Sequence, residues 1–186
     1  MVNERNRVCP VELADSLDSR LRRWLQNPRK ILSPYVKEGM TVLDVGCGPG
    51  FFSVELANLV GPGGKVISAD LQEGMLQKLG DKISGTVLEQ RIKLVKCEKD
   101  RINASERIDF ALAFYMVHEV PDKEKFFGEL ISILNEGGMV LIVEPKLFHV
   151  SKKDFEITLN QAQSAGFIIN KTPGLTLSWS AVLTKK

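Results

Sequence analysis

Apolar residues along this chain fall into two recurring patterns. Short continuous apolar runs, closed by glycine, proline or an acidic residue, are typical of buried strands. Sets of apolar residues spaced three and four apart follow most of these runs and predict amphipathic helices. The predicted strands are 42–45, 65–70, 91–97, 108–114, 139–144, 167–170 and 177–183, and the predicted helices are 11–25, 29–35, 51–60, 72–79, 122–134 and 151–165.

The order of these elements predicts an α/β fold. Strands that alternate with helices form a parallel sheet that is covered by helices on both faces. The two closing strands are joined by a turn without a helix, so we expect them to pair antiparallel. Ligands of such sheets bind at the carboxyl ends of the strands, near the point where the strand order reverses. The candidate site residues are therefore those that follow each strand.

Composition and charge predict one soluble globular domain. The chain has 186 residues, of which 44% are hydrophobic and 26% are charged, and its net charge is +2. This balance argues against nucleic acid as a partner, and no apolar run approaches the roughly 18 residues of a membrane span. Residues 1–9 are polar and lack the apolar core of a signal peptide. We therefore expect a cytoplasmic protein without a membrane partner, and the oligomeric state stays open, a homodimer included.

The cysteines predict neither a disulfide framework nor a metal site. Cys9, Cys47 and Cys97 are odd in number and far apart, and no Cys-x-x-Cys pair occurs. We interpret Cys47 and Cys97 as small buried packing residues and Cys9 as an exposed or tethered thiol. A joint site for a thiophilic substrate such as arsenite is the alternative.

Residues 41–51, Thr-Val-Leu-Asp-Val-Gly-Cys-Gly-Pro-Gly-Phe, have the pattern of a buried strand, a tight glycine turn and a helix start. Gly46, Gly48 and Gly50 stand at alternate positions. Glycine lets the backbone approach a ligand closely and adopt a positive φ. A helix start adds free N–H groups that favour an anionic group such as a carboxylate. A plain loop needs one or two glycines, so this spacing predicts a ligand site.

An acidic residue closes the second predicted strand. Asp70 lies 20 residues after Gly50. In a doubly wound fold this acid lies beside the first glycine turn, where it accepts hydrogen bonds from ribose hydroxyls. The alternative is a surface aspartate that caps the next helix.

Two nucleotide ligands compete for the glycine turn. A dinucleotide site has the pattern Gly-x-Gly-x-x-Gly, but Phe51 stands where the third glycine belongs, and Asp44 would lie close to the anionic pyrophosphate. An acid there suits a ligand that carries an ammonium group, and S-adenosylmethionine carries an ammonium, a carboxylate, a sulfonium and a ribose. A P-loop is excluded because no Gly-Lys-Ser/Thr follows. The residues favour S-adenosylmethionine over NAD.

Residues 42–53 resemble the first motif of class I S-adenosylmethionine-dependent methyltransferases. The likeness continues through 66–70, 108–122 and 134–145, most clearly with the small-molecule branch. The resemblance implies a three-layer αβα sandwich with a seven-stranded, mostly parallel sheet of order 3-2-1-4-5-7-6, strand 7 being antiparallel. Residues 37–186 would form the Rossmann-like cofactor domain. Residues 1–36 would form an N-terminal helical segment, with a lid over the ligand and a solvated basic face as its two interpretations.

The resemblance also implies roles for single residues around the cofactor. Asp44 would orient the methionine ammonium, directly or through water. Asp70 would hold the ribose hydroxyls, and Leu71 would pack on the adenine. The backbone carbonyl of Phe114 falls where it usually meets the ammonium group.

The glycine turn and the third strand complete the implied cofactor site. Gly46, Cys47 and Gly48 would form a backbone wall under the cofactor, and Gly50 would open the next helix. The family often has an aspartate after the third strand that contacts the adenine amino group. This chain has Cys97 followed by Glu98, which leaves that contact open between Glu98 and a backbone group.

The implied reaction is methyl transfer to a small-molecule acceptor by in-line displacement, with S-adenosylhomocysteine as the product cofactor. The leaving group is already activated, so positioning can supply much of the rate. A base is needed only if the acceptor atom carries a proton. His118 is the candidate base and Tyr115 its neighbour, while a packing role is the alternative for the His118 ring. Trp24, Tyr115, Met116, His118, Phe148 and His149 would supply the acceptor wall.

Other functions stay open at this stage. An RNA or protein methyltransferase is one, although no Asn/Asp-Pro-Pro-Tyr/Phe motif follows the fourth strand and no basic domain is appended. A protein that binds the cofactor without turnover is another. An NAD-dependent oxidoreductase is disfavoured by Asp44 and Phe51.

Overall fold

The structure, a computed structural model, describes residues 26–146 and 150–186. Strands and helices alternate along these residues, and a short 3₁₀ helix, Val117–Glu119, follows the fourth strand. The strands are β1 (Thr41–Val45), β2 (Lys65–Asp70), β3 (Ile92–Lys96), β4 (Ile108–Phe114), β5 (Leu134–Pro145), β6 (Phe167–Lys171) and β7 (Ser178–Lys185), and the helices are α1 (Pro28–Leu32), α2 (Ser53–Val60), α3 (Glu73–Ile83), α4 (Lys123–Ile133) and α5 (Lys152–Ser164).

The described strands form one seven-stranded sheet of order β3-β2-β1-β4-β5-β7-β6. Strands β1 to β5 pair in parallel, whereas β7 pairs antiparallel with both β5 and β6. The predicted α/β class, strand order and antiparallel closing pair are therefore confirmed.

Two apolar layers cover the sheet. Successive strand residues point to opposite faces, so Leu43 packs with residues of α4 and α5, while Val42 packs with residues of α1, α2 and α3. Both side chains are fully buried. Helices therefore lie on both faces of the sheet, as the predicted three-layer sandwich requires.

The register of the central strands brings their carboxyl ends together. Strand β1 lies between β2 and β4, and Val45 pairs with Ala69 on one side and with Ala113 on the other. The residues that follow these three strands consequently meet at one edge of the sheet. This edge is also where the strand order reverses, which is the usual ligand position in open α/β sheets.

Several element bounds differ from the sequence prediction. Helix α2 begins at Ser53 rather than at residue 51, because the glycine turn continues through Phe52. Helix α3 runs past Gly80 to Ile83. A glycine inside a helix costs about 1 kcal/mol, and burial of Ile83 offsets that cost.

Strand β5 begins earlier than predicted because it contains an irregular segment. Ile108 pairs with Leu134, but Phe110 already pairs with Met139, so β5 has more residues than β4 over this stretch. The Asn135 side chain donates a 2.7 Å hydrogen bond to Asp109, which fastens the irregular segment to β4.

Some sequence predictions lie outside the described residues. These are the helix 11–25, the cysteine at position 9 and three residues of the expected acceptor wall, Trp24, Phe148 and His149. Within residues 26–146 and 150–186, none of the helices combines the length and apolarity that crossing a membrane requires.

Candidate cofactor and substrate site

A cavity of about 310 Å³ lies at the carboxyl ends of β1, β2 and β4. Its walls bring together most of the residues that the sequence singled out. Two are exceptions: Gly50 and His118 are not among the lining residues. The predicted residues that line the cavity are Asp44, Gly46, Cys47, Gly48, Asp70, Leu71, Cys97, Glu98, Phe114, Tyr115 and Met116.

The glycine turn forms the floor of this cavity with bare backbone. Gly46 has a φ of +70° and Gly48 a φ of +54°, a region that L side chains rarely adopt. A Cβ at Gly46 would lie 2.8 Å from the Met116 side chain, whereas a Cβ at Gly48 would meet no atom within 4 Å. Gly48 therefore leaves open space beside the floor.

Gly50 serves packing rather than the cavity. Its φ is +84°, and a Cβ there would lie 2.3 Å from the Leu79 Cδ1 atom. Leu79 belongs to α3 and is fully buried. The glycine lets the turn pack directly against this helix.

Asp70 holds the turn from the neighbouring strand. Its Oδ2 accepts a 2.8 Å hydrogen bond from the Gly48 N–H, and its Oδ1 accepts one of 2.8 Å from the Gln72 N–H. Burial raises the pKa of Asp70, and these two backbone donors oppose the rise. A carboxylate offers about four lone-pair positions, so these two bonds leave acceptor capacity toward the cavity.

Asp44 is the second carboxylate at the floor. It is 2% exposed and accepts a 2.6 Å hydrogen bond from the Ser53 hydroxyl at the start of α2. Sequence reasoning missed Ser53. The available signal was a hydroxyl residue nine positions after a buried acid, on the first turn of the following helix.

Both cavity cysteines are buried thiols. Burial raises the pKa of Cys47 well above its ordinary value, and it raises the pKa of Cys97 to about 12. The Cys97 thiol also lies 3.4 Å from the Ile102 carbonyl oxygen. Neither thiol is a thiolate at neutral pH, which agrees with their predicted packing role. Within the described ranges, no group of three or more His, Cys, Asp or Glu residues could hold a metal ion.

Aromatic side chains line the end of β4. The Phe52 and Phe114 ring centroids lie 4.3 Å apart, and those of Phe114 and Tyr115 lie 4.5 Å apart. Tyr115 has a φ of +60°, which is unusual for a residue with a side chain. Its hydroxyl accepts a 2.6 Å hydrogen bond from the Gln26 amide and lies 2.6 Å from the Ser178 hydroxyl.

His118 lies behind the wall rather than on it. It lines another cavity, of about 250 Å³, together with Glu144, Lys123 and Asp154. Its Nδ1 atom is 2.5 Å from the Glu144 carboxylate. The structure therefore does not bring His118 to the cofactor cavity with the other predicted residues, because the 3₁₀ helix directs this ring toward the end of β5.

The cavity walls also contain residues that sequence reasoning did not select. Glu129 on α4 is the clearest case, because both of its carboxylate oxygens accept the Ile102 N–H, at 3.0 and 2.9 Å. The signal was an acid next to the apolar stripe that contains Phe126 and Leu130.

The lining carries a strong excess of negative charge. Among the described residues that line the cavity, seven are acidic and two, Lys99 and Arg101, are basic. Such a cavity favours ligands with cationic or hydroxyl groups and disfavours polyanions.

The residues present fit S-adenosylmethionine. The floor is bare backbone with open space at Gly48, and Asp44 and Asp70, near the carboxyl ends of the adjacent strands β1 and β2, both line the cavity. A carboxylate is the acceptor that an ammonium group or vicinal hydroxyls require. The Gly48 N–H already donates to Asp70, so this donor of the turn is not available to a pyrophosphate.

Comparison with known proteins places the chain in a family. A family model described as a methyltransferase domain matches residues 36–179. A demethylmenaquinone methyltransferase from Desulfitobacterium hafniense (strain Y51) is 33% identical over 111 residues, which are 58% of this chain and 43% of that protein. The ubiquinone/menaquinone biosynthesis C-methyltransferase UbiE of Idiomarina loihiensis is 28% identical over 127 residues, 68% of this chain and 48% of that protein.

The chain thus spans about half the length of the curated relatives it matches. A solved structure matches almost end to end. The SAM-dependent methyltransferase from Aquifex aeolicus has a TM-score of 0.83 and 26% identity, and the match covers 94% of this chain and 98% of that one. With the family model and this structural match, the chain belongs to the class I S-adenosylmethionine-dependent methyltransferases, and S-adenosylmethionine is its cofactor.

Proposed function

We propose that this protein transfers a methyl group from S-adenosylmethionine to a small-molecule acceptor in the cavity at the ends of β1, β2 and β4. The observation that carries the proposal is the pair of buried carboxylates, Asp44 and Asp70, which line the same cavity as the bare backbone at Gly46 and Gly48. The pair offers an acceptor for each polar end of a methionine-bearing nucleoside.

Asp70 binds the ribose hydroxyls in this proposal, and Asp44 orients the methionine ammonium. Support for the first assignment is the fixed position of Asp70, whose two backbone donors hold both oxygens. Support for the second is the burial of Asp44 and its bond to Ser53. A carboxylate fixed in this way loses little side-chain entropy when it binds a ligand.

The adenine would lie between Leu71 and the segment after β3. Cys97, Glu98 and Leu71 all line that side of the cavity. The Cys97 thiol interacts with the Ile102 carbonyl oxygen, which favours Glu98 or a backbone group for the adenine amino contact. The Phe114 carbonyl is the proposed partner of the ammonium group, beside Asp44.

When bound, the cofactor supplies a methyl group on a sulfonium, which needs no protein nucleophile. The protein then has to orient the acceptor and exclude water. Phe52, Phe114, Tyr115 and Met116 form an apolar surface that does both. The Tyr115 hydroxyl, held between Gln26 and Ser178, fixes the position of its ring on that surface.

The acceptor class is proposed from two observations. The curated relatives are named for demethylmenaquinone and for ubiquinone and menaquinone biosynthesis, and an aromatic wall suits a flat aromatic acceptor of that kind. The acidic lining disfavours RNA, because nucleic acids are bound through phosphates that Lys and Arg neutralise.

Three further expectations stay predictions. One is the division into an N-terminal segment, residues 1–36, and a cofactor domain, residues 37–186; the bond from Gln26 to Tyr115 connects the two at the cavity edge. The others are a cytoplasmic location and the oligomeric state, which stays open between a monomer and an oligomer such as a homodimer.

A thermal-shift panel tests the proposed function. At 100 times its dissociation constant, a ligand stabilises the folded state by about 2.7 kcal/mol, which raises the Tm of a domain of this size by about 5–10 °C. S-adenosylhomocysteine should give this shift and NAD should not. A shift with NAD alone would contradict the proposal.

Turnover is tested with S-adenosylmethionine that carries a radiolabelled methyl group. A water-soluble demethylmenaquinone analogue, ribosomal RNA and a cell-free protein mixture are offered in parallel. Label in the small molecule supports the proposal, label in RNA or protein replaces it with the corresponding alternative, and cofactor binding without label in any of them indicates a binding protein without turnover.

A further inference from the structure

A buried acid at the end of β5 has no role in the proposed function. The Glu144 residue is 1% exposed, and both carboxylate oxygens are hydrogen-bonded. Oε1 accepts a 2.9 Å bond from the backbone N–H of Val117, and Oε2 lies 2.5 Å from Nδ1 of His118. Burying a carboxylate is costly unless hydrogen-bond partners compensate it. An apolar side chain would fill this space without that cost, so packing alone does not explain an acid here.

Both partners of Glu144 belong to the segment that follows β4. Residues 115–119 connect β4 to the loop before α4 and contain the 3₁₀ helix. Within this segment, Tyr115, Met116 and Glu119 line the cofactor cavity. The Glu144 carboxylate thus binds residues 115–119 without itself lining the cofactor cavity.

Residues 115–119 adopt a conformation that contacts with other parts of the protein must stabilise. Tyr115 has a φ of +60°, and a side chain in the left-handed region costs roughly 1–2 kcal/mol. Met116 lies directly against Gly46, where an added Cβ would come within 2.8 Å of it. A small displacement of residues 115–119 would therefore move the cavity wall against its floor.

We propose that Glu144 is a positioning residue for the methyl-transfer site, and that with His118 it fixes the segment 115–119 against the glycine floor. This inference rests on the proposed function. Glu144 acts through Val117 and His118 and does not itself touch the ligands. His118 is accordingly part of the support of the wall rather than a base facing the acceptor.

The charges around His118 agree with this role. Burial of the ring lowers the pKa of His118, but the hydrogen bond and the charge of Glu144 outweigh it, so the pKa is raised above its ordinary value. Glu119 lies 3.9 Å from the other ring nitrogen, and Lys123 and Asp154 face the same cavity from α4 and α5. The Nδ1–H group remains the donor to Glu144 in the protonated ring and in one neutral tautomer.

The test compares three variants of the full chain. Glu144→Ala removes both acceptors. Glu144→Gln keeps an acceptor for Val117 and a polar group toward His118 but removes the charge. Glu136→Gln is the matched control, since Glu136 lies on the same strand and its side chain is 86% exposed.

Two readouts need no ligand. The sequence has two histidines, so a His149→Gln background leaves His118 as the single imidazole, which is titrated by NMR. We expect its pKa above the ordinary value of about 6.5 with Glu144 intact and below it in Glu144→Gln. Amide exchange at Val117 should be at least about tenfold faster in Glu144→Ala than in Glu144→Gln.

The third readout is affinity for S-adenosylhomocysteine by calorimetry. Glu144→Ala should bind about tenfold more weakly, Glu144→Gln should recover most of that loss, and Glu136→Gln should match the wild type. If Glu144→Ala does not fold, recovery of affinity can no longer be measured against it. Glu144→Gln is then judged against the wild type by its His118 titration and its Val117 amide exchange.

The outcomes separate this inference from the proposed function. Wild-type affinity in Glu144→Ala, or a His118 pKa that does not respond to Glu144→Gln, would overturn the positioning role. No binding by the wild type would refute the proposed function instead, and the ligand-free readouts would still decide whether Glu144 holds residues 115–119.

Discussion

At the residue scale, the site depends on acids whose positions are fixed by backbone donors. Asp70 illustrates this arrangement, because its carboxylate holds Gly48 and Gln72 at once. The Asp70 carboxylate therefore fixes the floor at Gly48 and still has lone pairs that can accept hydrogen bonds from a ribose. A substitution here changes both the floor and the contact.

Replacing Asp70 by alanine should weaken cofactor binding strongly. The loss of charge-assisted hydrogen bonds corresponds to about 1.5–3 kcal/mol, or roughly a 10- to 150-fold higher Kd for S-adenosylhomocysteine. Calorimetry measures this value directly. Asp81→Ala, which removes an exposed aspartate of α3, is the matched control. Equal affinities in both variants would reject the assignment of Asp70.

Gly50 and Gly85 separate backbone strain from steric contact. Both have a positive φ, +84° and +70°, but a Cβ at Gly50 would lie 2.3 Å from Leu79 while one at Gly85 would meet nothing within 4 Å. Gly85→Ala should therefore cost only the conformational strain, about 1–2 kcal/mol. Gly50→Ala should cost about 1–3 kcal/mol more, because a buried leucine must move.

Urea denaturation of the two glycine variants checks this difference. Similar free energies of unfolding would mean that the turn at Gly50 does not depend on close contact with α3.

At the element scale, most strands and helices could be predicted because their apolar spacing is regular. Strand β4 and strand β2 have the predicted bounds. The misses occur where one long-range contact decides a local conformation. Strand β5 extends through its irregular segment because the Asn135 side chain donates a hydrogen bond to Asp109. No local sequence pattern predicts that contact.

One acid outside the sheet links Lys65, the first residue of β2, with Lys93, the second residue of β3. Glu106 accepts a 2.6 Å hydrogen bond from Lys93 and one of 3.3 Å from Lys65. The Lys93 bond is the main cause that lowers the pKa of Glu106 to about 2. A carboxylate with a lowered pKa stabilises the folded state above its unfolded pKa, and that contribution is lost as pH falls through the folded pKa.

Glu106→Gln should therefore destabilise the protein at neutral pH and not in strong acid. Because these lysines are partly exposed, we expect a loss of about 0.5–1 kcal/mol at pH 7. The difference from the wild type should shrink between about pH 4.5 and pH 2. Urea titrations at several pH values measure it, with Glu38→Gln, at an exposed turn residue, as control. A difference that persists at pH 2 would contradict this account.

At the scale of the whole molecule, strand order and register gather the cavity from distant parts of the sequence. The ends of three parallel strands could be predicted to meet because the alternation of strands and helices fixes the topology. The direction of the His118 side chain could not be predicted, because one turn of 3₁₀ helix rotates it toward Glu144. The Tyr115 contacts with Gln26 and Ser178 are likewise long-range and leave no local signal.

The central claim is that the cavity holds a methionine-bearing nucleoside across the bare turn at Gly46–Gly48, between Asp44 and Asp70. A crystal structure of the protein with S-adenosylhomocysteine tests it most directly. We predict ribose oxygens within hydrogen-bond distance of Asp70 and the amino group on the Asp44 side, near the Phe114 carbonyl. A nucleoside bound elsewhere, or one whose ribose does not contact Asp70, would contradict the account.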